Sequence, residues 1–119
     1  MTKPTRYYSE KQETYVAKEL GGEVVKNSGG NMFKKGDVIV THPLYKILIE
    51  CKTKKTQAKS FSIKKDWLVE NEQDKMTGGY DLSALIFNFA GEEQDNYVVL
   101  SLKDFRNILE DISERVEEE

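Results

Sequence analysis

The sequence is poor in the residues that hold many small domains together. It has one cysteine, Cys51, and one histidine, His42. A single cysteine cannot close an internal disulfide, which fits a reducing cytoplasm. One Cys with one His also excludes a zinc site of the Cys/His type. No run of about 18 apolar residues occurs, so no membrane-spanning helix is expected. The stretch from Met1 to Arg6 carries no apolar segment, so no signal peptide is expected. There are no internal repeats and no linker-like stretch. At 119 residues the chain is expected to form one domain, residues 1–119, around a single core.

The charge is also modest in sum, −3, which by itself argues against a nucleic-acid partner. Its distribution argues the other way. Residues 31–65 hold nine lysines against only Asp37 and Glu50, a net of +7, so the rest of the chain carries −10. A basic centre between acidic flanks can bind phosphate locally whatever the total charge. Simple solvation of these lysines is the plainer alternative.

What is present centres on two apolar runs, Val38-Ile39-Val40-Thr41 and Lys46-Ile47-Leu48-Ile49-Glu50-Cys51-Lys52, joined by His42-Pro43-Leu44-Tyr45. Short Val- and Ile-rich blocks around a four-residue link predict a β-hairpin. A symmetric register sets Thr41 opposite Lys46, Val40 opposite Ile47 and Asp37 opposite Glu50. Directly opposed residues share a face with Cβ atoms about 5 Å apart. Lys52, two residues past Glu50, shares that face. Two carboxylates so close repel unless a cation lies between them. The hairpin therefore predicts a divalent-metal site with a lysine beside it. Apolar residues on both faces predict a central sheet covered on both sides.

The rest of the chain reads in order. Residues 8–20 predict a helix with Ser9 as N-cap, Gln12 completing a capping box, and Gly21-Gly22 as the stop. Val16, Ala17 and Leu20 form its inward stripe, and Glu13 lies on that stripe's edge. Residues 23–26 predict a short edge strand and residues 27–31 a loop. Gly36 allows a tight turn just before Asp37. Residues 53–60 read as a polar, lysine-rich loop. Residues 62–76 predict a second helix with Ile63, Trp67, Leu68 and Met76 inward; Trp67 reads as core and not as a base-stacking platform. Lys64 and Lys65 sit in its first turn, where the helix dipole disfavours cations. Residues 82–89 and 97–101 predict two strands, antiparallel to each other. A last helix starts at Ser101 or Leu102, with Phe105, Ile108, Leu109 and Ile112 at helical spacing, and residues 115–119 form an acidic, frayed tail. His42 reads as a turn residue. The sum is an α/β domain in the order αβββαββα.

That order, together with Glu13-x-x-Val16-Ala17-x-x-Leu20-Gly21, Val24-Val25-Lys26, Ser28-Gly29, Gly36-Asp37 and Ile49-Glu50-Cys51-Lys52, resembles the PD-(D/E)XK nuclease superfamily. Within it the chain is similar to the small Holliday junction resolvases of archaea and their phage-encoded relatives, over about residues 9–90. The residue before Asp37 is Gly36 and not Pro, a departure the family tolerates. The resemblance implies a restriction-endonuclease-like fold with a mixed five-stranded sheet flanked by helices. It implies a Mg²⁺-dependent endodeoxyribonuclease, with Mn²⁺ able to substitute. The metal ligands would be Asp37, Glu50, the Cys51 backbone carbonyl and Glu13, with Glu10 the alternative to Glu13. Lys52 would position the attacking water and contact the scissile phosphate. Ser28, Lys34, Lys35, Lys54, Lys55, Lys64 and Lys65 would hold the DNA backbone.

A four-way junction has two symmetric strands to cut, so a homodimer is expected. Phe61, Tyr80 and Phe89 are its candidate exposed apolar residues. The implied setting is the cytoplasm of a bacterial, archaeal or phage-infected cell, with no membrane association. Two alternatives stay open at this point: a nuclease acting on other structured DNA or on duplex nonspecifically, and a noncatalytic nucleic-acid-binding module with the same fold.

Overall fold

The structure is a computed structural model that describes residues 5–25, 36–54, 56, 58–89 and 95–118. It is an α/β arrangement with one five-stranded mixed sheet and three helices. The chain runs α1 (Thr5–Leu20), β1 (Glu23–Val24), β2 (Val38–Thr41), β3 (Lys46–Lys52), α2 (Lys65–Gly78), β4 (Leu82–Phe87), β5 (Tyr97–Val99) and α3 (Leu102–Glu118). The strands lie side by side in chain order, β1 to β5. Neighbours are antiparallel except β3 and β4, which are parallel and joined through α2.

The hairpin register follows from its apolar pattern. Val38 pairs with Ile49, Ile39 with Leu48, Val40 with Ile47 and Thr41 with Lys46. His42 donates its backbone N–H to the Tyr45 carbonyl at 2.9 Å, closing the link. On one face Val38, Val40, Ile49, Cys51, Ala84 and Ile86 meet Val16 and Ala17 of α1 in the main core. On the other face Leu48 and Leu85 are also buried. Burial on both sides explains why β4, Leu82–Phe87, reads as a near-continuous apolar run and not as an alternation.

Helix α1 differs from its expected form. It begins at Thr5, so Ser9 lies inside the helix and is not its cap. Its buried line is Tyr8, Gln12, Val16 and Ala17, while Leu20 is exposed. It ends where expected: Gly21 takes φ +65°, and Gly22 donates its N–H to the Ala17 carbonyl at 2.8 Å. That bond pattern satisfies one of the helix's last carbonyls.

Helix α2 differs more. It starts at Lys65, with Lys64 at the N-cap, not at Ser62. Its one buried residue is Asn71, whose side-chain amide donates to the Ala84 carbonyl at 3.0 Å. Ile63, Leu68 and Met76, expected inward, are exposed, and Trp67 is half-buried. A polar anchor replaces the apolar stripe: beside Asn71, the Ser83 hydroxyl donates to Glu72 at 3.0 Å.

Strand β4 stops at Phe87 and β5 at Val99, each two residues short of expectation. Helix α3 is capped by the Ser101 hydroxyl, which accepts from the Asp104 N–H at 3.0 Å. It runs on to Glu118, so residues 115–118 are helical where a frayed tail was expected. Phe61, Tyr80 and Phe89 are half-buried, not exposed. Among the described residues no helix is long and apolar enough to cross a membrane.

Candidate active site

The site is built at the point where β2 enters the sheet and β3 leaves it. Gly36 makes the entry. Its φ is +81°, and a Cβ there would stand 2.5 Å from Leu48 Cδ1, so both the turn and the close approach call for glycine. Asp37 follows in a bend. Its N–H donates to the Ile49 carbonyl at 2.8 Å, and its carbonyl accepts from the Val25 N–H at 2.9 Å. Its carboxylate accepts from the Cys51 N–H at 2.7 Å. The strand ladder ends one step earlier, at Val38 and Ile49. Asp37 therefore caps the β3 backbone and does not stand as a strand residue squarely opposite Glu50.

Glu50 and Lys52 lie two apart on β3 and share a face, with Lys52 Nζ 3.4 Å from Glu50 Oε1. Lys52 also lies over the Trp67 ring, 4.5 Å from its centroid. Trp67 is thus neither plain core nor open platform; its indole face restrains the lysine. From α1, Glu13 faces the same region, half-buried, and Asp37, Glu10 and Glu50 all raise its pKa. Glu10 is exposed and paired with Arg6 at 2.8 Å.

The electrostatics describe one crowded acidic patch. Burial pushes the Glu13 carboxyl up to about 7, helped by Asp37, Glu10 and Glu50. Burial also raises Asp37, opposed by the Cys51 hydrogen bond and by Lys52. Glu50 is raised by burial and by Asp37, with Lys52 pulling the other way. The Cys51 thiol, buried under the patch, is driven up by burial and then by Asp37, Glu13 and Glu50. Each carboxylate is disfavoured in its charged form, and Lys52 is a single positive charge among them.

Such a set of hard oxygen donors suits Mg²⁺. Among the described residues no three His, Cys, Asp or Glu side chains stand together closely enough to hold an ion as they are placed. Donor chemistry and charge favour a cation there; Asp37, Glu50 and Glu13 are the residues that would hold it. Cys51 contributes its N–H to Asp37 and its side chain to the core.

Of the expected phosphate-binding residues, Ser28, Lys34, Lys35 and Lys55 lie outside the described residues. Lys54 is half-buried; its Nζ donates to the Ser60 carbonyl at 3.1 Å and lies 5.3 Å from the Phe61 ring centre. Lys64 and Lys65 are exposed at the start of α2, and Lys64 Nζ lies 5.7 Å from the Trp67 ring centre. Lys52, Lys54 and Lys64 therefore line one basic and aromatic rim beside the carboxylates.

One residue of the site escaped the sequence reading. Gln12 is buried, and its Nε2 donates to the carbonyls of Lys52 at 2.9 Å and Ile86 at 3.2 Å, and to Asn96 Oδ1 at 3.1 Å. It ties α1 to the end of β3 that carries Lys52, and so fixes Glu13, its chain neighbour, near Asp37. Asn88 closes the same corner: Thr53 Oγ1 donates to its side chain, and its N–H donates to the Lys52 carbonyl at 3.3 Å. The signal for Gln12 was its place four residues from both Tyr8 and Val16, on the buried line.

No family model, no curated protein and no solved structure matches the chain.

Proposed function

We propose that this protein is a metal-dependent DNA endonuclease that hydrolyses phosphodiester bonds, with a four-way junction as its preferred substrate and a PD-(D/E)XK nuclease-like fold. The observation that carries the reading is that Asp37, Glu50 and Glu13 lie within electrostatic reach of one another, with Lys52 Nζ 3.4 Å from Glu50. The antiparallel β2–β3 pair, followed by α2 and a parallel β4, is the supporting arrangement. A cytoplasmic location and a homodimer belong to the same reading.

Mg²⁺, with Mn²⁺ as substitute, would supply a Lewis acid that lowers the pKa of water and offsets charge on the phosphate. The protein's own groups set the rest. Asp37 is held by the Cys51 N–H and cannot swing away without leaving that amide unpaired. Lys52, restrained by Glu50 and Trp67, presents an ammonium where phosphate charge would develop, the kind of preorganised electrostatic help that dominates such reactions. Burial and the neighbouring carboxylates push Glu13 up to about 7 without metal, and a bound cation would favour its charged form. Lys54, Lys64 and Lys65 would grip the DNA backbone without reading its sequence. Lys34, Lys35, Lys55 and Ser28 carry the same proposed role from sequence alone.

An unneeded set of half-buried, mutually repelling carboxylates would cost stability with no return, which weighs against a purely structural role. The test is a labelled four-way junction beside a linear duplex of the same arms, with Mg²⁺ and with chelator. Symmetric nicks confined to the junction, lost in Asp37→Ala and Glu50→Ala, are expected. Equal cutting of both substrates would make it a general nuclease. Binding in chelator with no cleavage under any metal would leave a noncatalytic binding module.

A further inference from the structure

Helix α3 carries its apolar residues on the wrong side for its own domain. Among the described residues, its turned-in side is Asp104, which is buried, with Asn107, Ile108 and Asp111 half-buried. Polar contacts hold that side: the Tyr45 hydroxyl donates to Asp111, and Lys75 Nζ lies 4.0 Å from Asp104. The helix's other apolar residues point elsewhere. Leu102 is 83% exposed, Phe105 49%, Leu109 49%, Ile112 53% and Val116 66%. Their spacing alternates three and four, which is the a/d seam of a heptad helix pair and not the wider stripe of a helix docked on a sheet.

We propose that α3 is the self-association surface of this protein, pairing antiparallel with α3 of a second copy through that seam. Three observations select a second copy as the occupant. First, the area suffices: the five side chains leave roughly 500 Å² of apolar surface open, so a symmetric pair covers about 1,000 Å², the size at which an interface becomes specific. Second, the charges match in the antiparallel sense. On the side of the seam that carries Arg106, the first half is basic and the second half, with Glu110 and Glu117, is acidic; Arg115 lies on the seam's other side. Antiparallel pairing sets each basic half against the partner's acidic half, whereas parallel pairing sets like against like. Third, the helix dipoles favour the same direction. The seam is self-complementary, as a two-fold interface must be. The proposal stands on α3 alone and not on the nuclease reading.

Light scattering or sedimentation of the full chain at about 50–100 μM is the test. The wild type is expected at twice the mass of one chain. Leu109→Glu and, separately, Val116→Asp are expected at the mass of one chain, with helical circular dichroism unchanged. Val116 is so exposed in the single copy that its substitution leaves the fold intact, which keeps the test valid if Leu109→Glu misfolds. A wild type that is strictly one chain, or variants that both remain double, would overturn the proposal. A nitroxide on Lys103→Cys reads direction, since Cys51 is buried away from the label. Antiparallel pairing about Leu109 sets residue 103 opposite the partner's residue 115, so the two labels lie about 18 Å apart along the axis, whereas a parallel pair sets them level. Labels close together would overturn the antiparallel order.

Discussion

The Asp37 carboxylate takes the backbone N–H of Cys51 at 2.7 Å, one residue beyond Glu50 on β3. A residue in a bend before β2 thereby fixes the exit of the neighbouring strand. The same bond orients one oxygen of Asp37. Asp37→Asn keeps the shape and removes the charge. We expect it to keep the fold, to lower Mg²⁺ affinity by at least 10-fold in calorimetry, and to abolish cleavage. Unchanged Mg²⁺ binding in this variant would remove Asp37 from the metal site.

Gln12 is the positioning residue for this corner. Gln12→Ala removes the amide shared by the Lys52 and Ile86 carbonyls and Asn96 Oδ1, and leaves Asn88 as the remaining donor to Lys52 and Asn96. We expect a loss of about 1–3 kcal/mol in chemical denaturation. The loss of cleavage should exceed what the unfolded fraction explains, because Glu13 and Lys52 lose their common tie. A stability equal to wild type would show that water replaces the amide fully.

Gly36→Ala tests the turn that delivers Asp37. A Cβ there meets Leu48 Cδ1 at 2.5 Å on a backbone of positive φ. The expected cost is on the order of 1–3 kcal/mol, measured by urea unfolding.

The pH dependence has a definite sign. Glu13 has its pKa raised in the folded state, from about 4.5 to about 7. Its contribution to stability is present below the unfolded pKa and is lost as pH rises through the folded one. Between pH 5 and 8 without metal, wild type should lose stability relative to Glu13→Gln. Mg²⁺ should narrow that gap and should bind more tightly as pH rises through 7. Thermal unfolding of both proteins with and without Mg²⁺ reads both effects. A gap that is flat with pH would mean Glu13 is solvated and outside the cluster.

The hairpin was legible in the sequence because Val38, Val40, Ile47 and Ile49 permit one register that buries them together. The helix stop at Gly21-Gly22 was legible for a like reason, since only glycine takes that backbone freely. Other features were not. Ser9 and Gln12 have the spacing of a capping box, yet burial of Gln12 against two strand carbonyls is worth more than a cap, and the helix starts earlier. In α2 the sequence offers Leu68 and Met76 as part of a stripe, but Asn71 bonded to the Ala84 carbonyl sets the rotation and turns them out, while Ile63 falls before the helix. Such long-range polar bonds leave no periodic trace. In α3 the apolar spacing was visible, but periodicity shows only that a seam exists and not which surface covers it. Asp37 was found in its neighbourhood, while its place just outside the ladder depends on Gly36 and on the Cys51 amide.

We propose that Asp37, Glu50 and Lys52 form a metal-dependent phosphodiesterase centre. Single-turnover cleavage of a labelled four-way junction by wild type and Lys52→Ala, with Mg²⁺ and with chelator, tests it most directly. We expect cleavage by wild type with Mg²⁺, none in chelator, and a rate at least about 10²-fold lower in Lys52→Ala with junction binding retained. Cleavage that survives chelator, or a Lys52→Ala rate equal to wild type, would contradict it.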